Sequence, residues 1–447
     1  MTEFSRRAFL GATAALAAGC AAPAPTAPRP RILLRSSWQT VNIGDIAHTP
    51  GMLRLHEERF PQAELTLWPN RLSDEVELLL RRRFPGLRLV RSAEEQREAI
   101  AGCDFFLHGS GPGLVGAAEA KRWQVTGKPY GFGGVTLSDA ELRDHRGLLA
   151  GARFVFCRDT LSLDALRAAM VPGPLQEFGP DATFALDLRD DARAAAFLGE
   201  QALEPGRFAC FVPRLRWTPY WKEGRTMAPE LVQAREAENE RHREADHAKL
   251  RAAIVAWVTG TGGQALLCPE MTYQVGLLRP LLFDPLPADV KARVIVRPGY
   301  WLPDEAASTY RQAAAVVSLE MHSPIIAIAN GRPAIHLRQP TDTRKGQMWR
   351  DVGLGDWLFE IDRSTGEEIA ERVVSLHRDP AGTRASVARA QSASAARCRA
   401  MMQARWRLQR SVLPRRGVRS SASARFTLNS GDTPISLACR PIPPLQS

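Results

Sequence analysis

The chain has 447 residues, 45% of them hydrophobic and 24% charged, which is enough to bury more than one core and suggests two to three domains. Its formal net charge of +11 is gathered at one end, where residues 401–447 carry eight arginines against one aspartate. The charge left on the first 400 residues is too thin for a phosphate-tracking groove, which excludes nucleic acid as a partner.

Seven cysteines (Cys20, Cys103, Cys157, Cys210, Cys268, Cys398, Cys439) show neither C-x-x-C spacing nor a Cys/His pattern, so no metal site is expected. Four of them, Cys103, Cys157, Cys210 and Cys268, fall in or beside apolar, strand-like runs. There a thiol behaves as a small buried hydrophobe, and no disulfide framework is expected.

At the start of the chain, Ser5-Arg6-Arg7-Ala8-Phe9-Leu10 leads into a run of small apolar residues ending at Cys20. A basic start and an apolar run too short to span a bilayer are the layout of a signal peptide. The S-R-R-x-F-L string resembles the twin-arginine export motif, which implies the twin-arginine translocation machinery as a partner. Ala17-Ala18-Gly19-Cys20 resembles a lipoprotein cleavage site, with Leu16 one position earlier than usual, and makes Cys20 a candidate lipid anchor. The expected location is therefore the periplasm or the membrane surface. The Ala/Pro/Thr stretch at 21–30 reads as an extended linker, completing a leader of residues 1–30.

From Arg31 onward, short apolar runs alternate with longer helical periodicities. The runs lie at 32–34, 64–68, 87–90, 103–107, 130–132 and 154–157, and a second set at 208–212, 264–268, 293–296, 315–319 and 334–337. That alternation predicts an α/β chain of two Rossmann-like lobes, at 31–195 and 205–366. Residues 236–258 read as a long helix packing by its C-terminal half, and 367–410 as a terminal helical segment. Residues 411–447, rich in Arg, Ser and Pro, show no period.

Four blocks carry chemistry. Val41-Asn42-Ile43-Gly44-Asp45-Ile46 follows the first strand and opens a helix, a natural anion site; standing alone, it would read as a turn and cap. Asp104 to Gly113 puts His108 and three glycines at the end of a strong strand, where ligand crevices of open α/β sheets lie, and Gly127–Gly134 repeats the pattern one unit later. Phe154-Val155-Phe156-Cys157-Arg158 ends a strand with a cation, and Ser162 falls in the next helical turn. Arg158 either faces an anion or pairs with Asp159 or Asp181 in a structural network. In the fourth block a strand delivers Glu320 and His322 to a small-residue helix, and Gly331-Arg332-Pro333 and Lys345 follow.

In this order, from Asn42 to Asp362, the blocks resemble the polysaccharide pyruvyl transferase family. The resemblance implies a fold similar to GT-B glycosyltransferases and the transfer of an enolpyruvyl unit from phosphoenolpyruvate, as co-substrate, to a glycan or sugar acceptor. It implies no cofactor and no metal. By position, His322 is the implied general acid, and Arg158 and Lys345 bind the donor's anionic groups. Asn42, Gly44 and Asp45 line the acceptor side, with His108 a further candidate there. Glu320 stands in the donor pocket where the family commonly has arginine, and a carboxylate is expected to repel a phosphate-bearing donor. Export would also place the chain where phosphoenolpyruvate is not expected. The alternatives are an exported GT-B-like glycosyltransferase with another donor and a non-catalytic carbohydrate-binding protein.

Overall fold

The computed structural model describes residues 29–412. The export motif, Cys20 and the tail beyond residue 412 lie outside the described residues. Ile32, Leu33 and Leu34 are all buried, the mark of a strand covered on both faces, as parallel sheets are. Strand β1 (Arg31–Ser36) duly lies inside a seven-stranded parallel sheet with β2 (Glu64–Pro69), β3 (Arg88–Leu89), β4 (Phe105–His108), β5 (Tyr130–Val135), β6 (Phe154–Cys157) and β7 (Leu175–Phe178). The order is β3-β2-β1-β4-β5-β6-β7, with Leu33 opposite both Thr66 and Phe106.

The second lobe repeats the plan. Strands β8 (Phe208–Val212), β9 (Gln264–Leu267), β10 (Val294–Val296), β11 (Ala315–Ser318), β12 (Ala334–Arg338) and β13 (Leu358–Glu360) form a parallel sheet in the order β10-β9-β8-β11-β12-β13. In each sheet the strand order reverses once, between β1 and β4 and between β8 and β11. Such switch points open a crevice at the carboxyl ends of the strands.

The Asp190 amide donates to Asp304 O (3.2 Å) and Ser308 Oγ (3.0 Å), so the helix Asp191–Glu200 is fastened to the second lobe. The long helix spans Pro229–Thr261, with proline in its first turn and Gly262 in the left-handed conformation closing it. Its buried residues lie mostly in the C-terminal half: Leu250, Ala253, Ile254, Trp257 and Val258.

Two helices end the described chain, Gly366–Arg378 and Pro380–Val412. The second returns to the first lobe, burying Cys398, Met401, Met402 and Arg405 at helical spacing. The Arg405 guanidinium, fully buried, approaches His56 Nε2 (2.9 Å) and lies 5.6 Å over the Phe154 ring. The lobes also meet through a short antiparallel bridge, Asn42 opposite Met271, with Ile43 N donating to Glu270 O (3.0 Å) and Thr272 N to Val41 O (3.0 Å). The five described cysteines, Cys103, Cys157, Cys210, Cys268 and Cys398, are buried free thiols.

Candidate active site in the interlobe cleft

The carboxyl ends of the two sheets face one cleft of about 650 Å³. Asn42 and Asp45 reach it from the segment after β1, Arg158 from the end of β6, Arg214 from the loop after β8, Glu320 and His322 from the loop after β11, and Asp342 and Lys345 from the loop after β12. Asn42 caps the helix Ile43–Arg59, its Oδ1 accepting from Gly44 N (2.7 Å) and Asp45 N (3.3 Å). Gly44 is a glycine for a steric reason. A β-carbon there would fall inside the His322 ring, which the second lobe lays against this helix.

His322 begins the helix His322–Ala329 and is 4% exposed. Its Nδ1 lies 3.2 Å from Glu270 Oε1, while the Ser323 amide donates to Glu270 Oε2 (2.6 Å). That clamp orients the imidazole and leaves Nε2, a buried atom, without a hydrogen-bond partner among the described residues. Burial first, then His48 beside it, hold His322 down to about 3, so the resting imidazole is neutral. Burial pushes Glu270 above the usual carboxylate range.

Behind His322 lies a buried chain. His48 Nδ1 is 3.0 Å from Asp181 Oδ1, and Arg158 donates to Asp181 Oδ2 (2.5 Å) and, through Nε, to Thr136 Oγ1 (2.8 Å). Burial works against the Asp181 charge, yet His48 and Arg158 hold it well below the usual range. Arg158 is thus both at the cleft wall and tied into a network with Asp181, with Asp159 joined through Thr136 (2.8 Å). Ser162 serves that network, donating to Asp159 Oδ2 (2.9 Å). Ligating atoms of His48, Asp181 and His322 lie within 4.8 Å of one another, so these are the residues that could hold a cation. The Arg158 guanidinium against Asp181 opposes a second positive charge there.

On the other wall, Arg214 is 2.6 Å from Asp342 and 3.4 Å from Glu320, and Lys345 is 3.7 Å from Asp342. Asp342 lies below the usual range: burial opposes its charge, but Arg214 and Lys345 prevail. Glu320 behaves oppositely. Burial drives it up to about 7, with Glu270 adding to the rise, and Gln274 donates to it (2.9 Å). The carboxyl is therefore largely protonated below pH 7, which lessens the repulsion expected from it there. Arg214 supplies, from β8, a cation beside the position where arginine was expected.

His108 is not in the cleft. It is fully buried, stacked on Trp38 (4.7 Å between ring centres), with Nδ1 against Gly109 O (2.8 Å) and Nε2 accepting from Gly116 N (3.1 Å). Burial holds it down to about 3, and it acts as a neutral structural ring. The sequence reading passed over Arg214, Glu270 and His48. The first two follow the ends of β8 and β9, so the same strand-end logic could have found them. His48 lies inside a helix and carries no such signal.

Comparison with known proteins agrees with this architecture. The structure is similar to HepE of Anabaena in complex with UDP and glucose, at 12% identity and a TM-score of 0.52, over 86% of this chain and 100% of that one. It is likewise similar to a putative UDP-N-acetylglucosamine 2-epimerase from Listeria monocytogenes (13%, TM-score 0.54, 82% and 91%) and to the Rickettsia bellii enzyme (12%, 0.53, 86% and 97%). At such identities the likeness is of fold, two α/β lobes of the GT-B kind. No curated protein matches the chain. The sequence profile of polysaccharide pyruvyl transferases matches residues 42–339, a span that holds Asn42, Arg158, Arg214, Glu320 and His322 of the cleft and stops short of Asp342 and Lys345, and the chain belongs to the polysaccharide pyruvyl transferase family.

Proposed function

We propose that the chain is an exported pyruvyl transferase that moves a pyruvyl unit from phosphoenolpyruvate to a cell-envelope glycan as a ketal. Two hydroxyls of one sugar add to the donor's central carbon, the methylene carbon becomes a methyl, and phosphate leaves. Of the two hydroxyl protons released, one ends on the methyl carbon and the other departs with phosphate. The chemistry needs a proton carrier at the methylene and cations against phosphate and carboxylate.

The observation that carries this reading is that His322, Lys345, Arg214 and Arg158, from separate strand ends, line one cleft. Arg71, Arg225 and Arg235 line it too, and among the described residues none of the three has a carboxylate within ion-pairing distance, which suits an anionic ligand. Trp217, with the Arg235 guanidinium 4.4 Å over its ring, and Tyr220 line it as well. His322 begins neutral, and the donor's negative charge favours its imidazolium, so proton and donor bind together. The proton then passes from Nε2 to the methylene carbon.

Calorimetry of the mature protein with phosphoenolpyruvate, in buffers of different ionisation enthalpy, tests this. Saturable binding with proton uptake is expected. His322→Ala should lower that uptake and slow turnover about 10²–10⁴-fold, the range of general acid catalysis. Absence of binding by the unmutated protein would sink the proposed donor. UDP-glucose is the second titrant, because HepE is seen with UDP and glucose and the unpaired arginines would also suit a diphosphate.

A further inference from the structure

We infer that the end of the first lobe opposite the cleft is a docking face for an anionic lipid bilayer, carried by the three loops that lead into β5, β6 and β7. This surface is independent of the function proposed above.

In a parallel sheet with crossover helices, each helix-to-strand loop returns to the amino end of a strand, away from the crevice at the carboxyl ends. Strands β5, β6 and β7 are neighbours at one edge of the first sheet, so the loops before them lie side by side. Hydrogen bonds tie them together. Gln124 donates to Gly147 O (3.4 Å), and Arg146 donates to Ala169 O (2.5 Å) and Met170 O (3.0 Å). The Arg153 amide donates to Tyr130 O (2.8 Å), and Leu175 N donates to Arg153 O (3.2 Å).

Charge is one-sided on this face. Residues 121–128, 146–153 and 167–176, the loops with the helical residues beside them, hold six lysines and arginines and no aspartate or glutamate. Lys128 is taken up by the carbonyls of Ile100 (2.8 Å) and Ala101 (2.7 Å). At the other edge of the same sheet the arginines before β3 are matched, Arg81 by Glu77 (2.6 Å) and Arg83 by Glu57 (2.7 Å) and Asp187 (2.8 Å), whereas among the described residues Lys121, Arg122, Arg146, Arg153 and Arg167 have no carboxylate within ion-pairing distance. A cation at a helix C-terminus is stabilised by the dipole there, and Arg146 serves the helix Thr160–Ala168 in that way. That role does not require the omission of every acid. Five unmatched cations on one face are complementary to an anionic surface.

The apolar residues on the same loops make that surface a bilayer. Val125 is 90% exposed and Met170 80%, the two most exposed of the described large hydrophobic residues. Met170 follows the helix Thr160–Ala168 in the left-handed conformation, at φ 47°. Glycine is the usual residue at such a helix end because it takes that backbone without strain, so a methionine there serves something outside the fold. Each tip stands among cations and is too small to form the apolar centre of a protein interface. Between lipid headgroups the same combination is favourable: the side chain enters the acyl boundary while the cations meet phosphates. The cleft then stands at the far end of the sheet from the bilayer.

The test is cosedimentation of the mature protein, begun at residue 21 so that it carries no lipid, with vesicles of equal parts phosphatidylglycerol and phosphatidylcholine, beside pure phosphatidylcholine. Binding to the anionic vesicles that weakens with added salt is expected. Val125→Ser combined with Met170→Gly should lower the partition about tenfold or more, and the glycine suits the left-handed backbone, so the fold is kept. Lys121→Gln combined with Arg167→Gln should lower it to a similar extent and make the salt dependence shallower. The arginine-rich tail is present in every variant, so its own attraction to the vesicles is common to all. No binding by the unmutated protein, equal binding to the neutral vesicles, or wild-type partition in both double variants would overturn the docking face. Failure of phosphoenolpyruvate to bind would remove the donor reading and leave the vesicle result standing.

Discussion

Glu320 is 3% exposed and shares its surroundings with Arg214, Glu270 and Asp342. Because burial raises it to about 7, it is neutral below that pH and charged above it. Above pH 7 donor affinity should therefore fall more steeply than proton uptake at His322 alone requires, and the slope should become shallower in Glu320→Gln; isotherms from pH 6 to 8.5 check it. The linkage to stability has a definite sign. The folded state keeps a proton that the unfolded chain has already lost, so this group's contribution falls as pH rises from about 4.5 to about 7 and then levels off. Urea melts of the two proteins should diverge in that window. Residues at strand ends were readable from sequence because the position itself implies a crevice, as for Asn42, Arg158 and His322. His108 obeys the same rule and departs from it, since its side chain lies beneath Trp38. Whether a strand-end side chain points into the crevice or under it depends on packing that one sequence does not display.

The helix Pro380–Val412 buries Val387, Ala390, Ser394, Cys398, Met401, Met402 and Arg405 along one stripe, and Met401 presses its sulfur toward Gly179 of the first lobe. Met401→Ala should lower stability by about 2–4 kcal/mol in denaturant melts, while Gln403→Ala, on the exposed face, should stay within about 0.5 kcal/mol. Equal effects would mean that the stripe is not packed. This helix was legible only in outline, since its Ala, Arg and Ser content gives a weak apolar period. Strands β7 and β13 escaped the sequence reading for a related reason. Both lie at sheet edges; β7 is only partly buried, with Gln176 and Glu177 interrupting its apolar residues, and β13 is only three residues long. The central strands, buried on both faces, could be read almost to the residue.

At the scale of the whole molecule, the two sheets are joined by more than the single crossing of the chain. The Asn42–Met271 bridge, the Thr160 hydroxyl on Asp351 (2.7 Å) and the returning helix all fasten one lobe to the other. The doubled Rossmann plan was visible in the order of apolar runs, but these fastenings pair residues far apart in sequence and become apparent only once the lobes are assembled. They predict that the lobes open together. The buried thiols make this measurable: Cys103 and Cys157 lie in the first lobe, Cys210 and Cys268 in the second and Cys398 in the returning helix, none more than 6% exposed. Under mild denaturant, pulses of an alkylating reagent should modify all five in one kinetic phase, read by mass spectrometry of the peptides; separate phases for the two lobes would refute joint opening. A thiol shut inside each layer makes the protein its own unfolding gauge, able to report which part yields first without an added label.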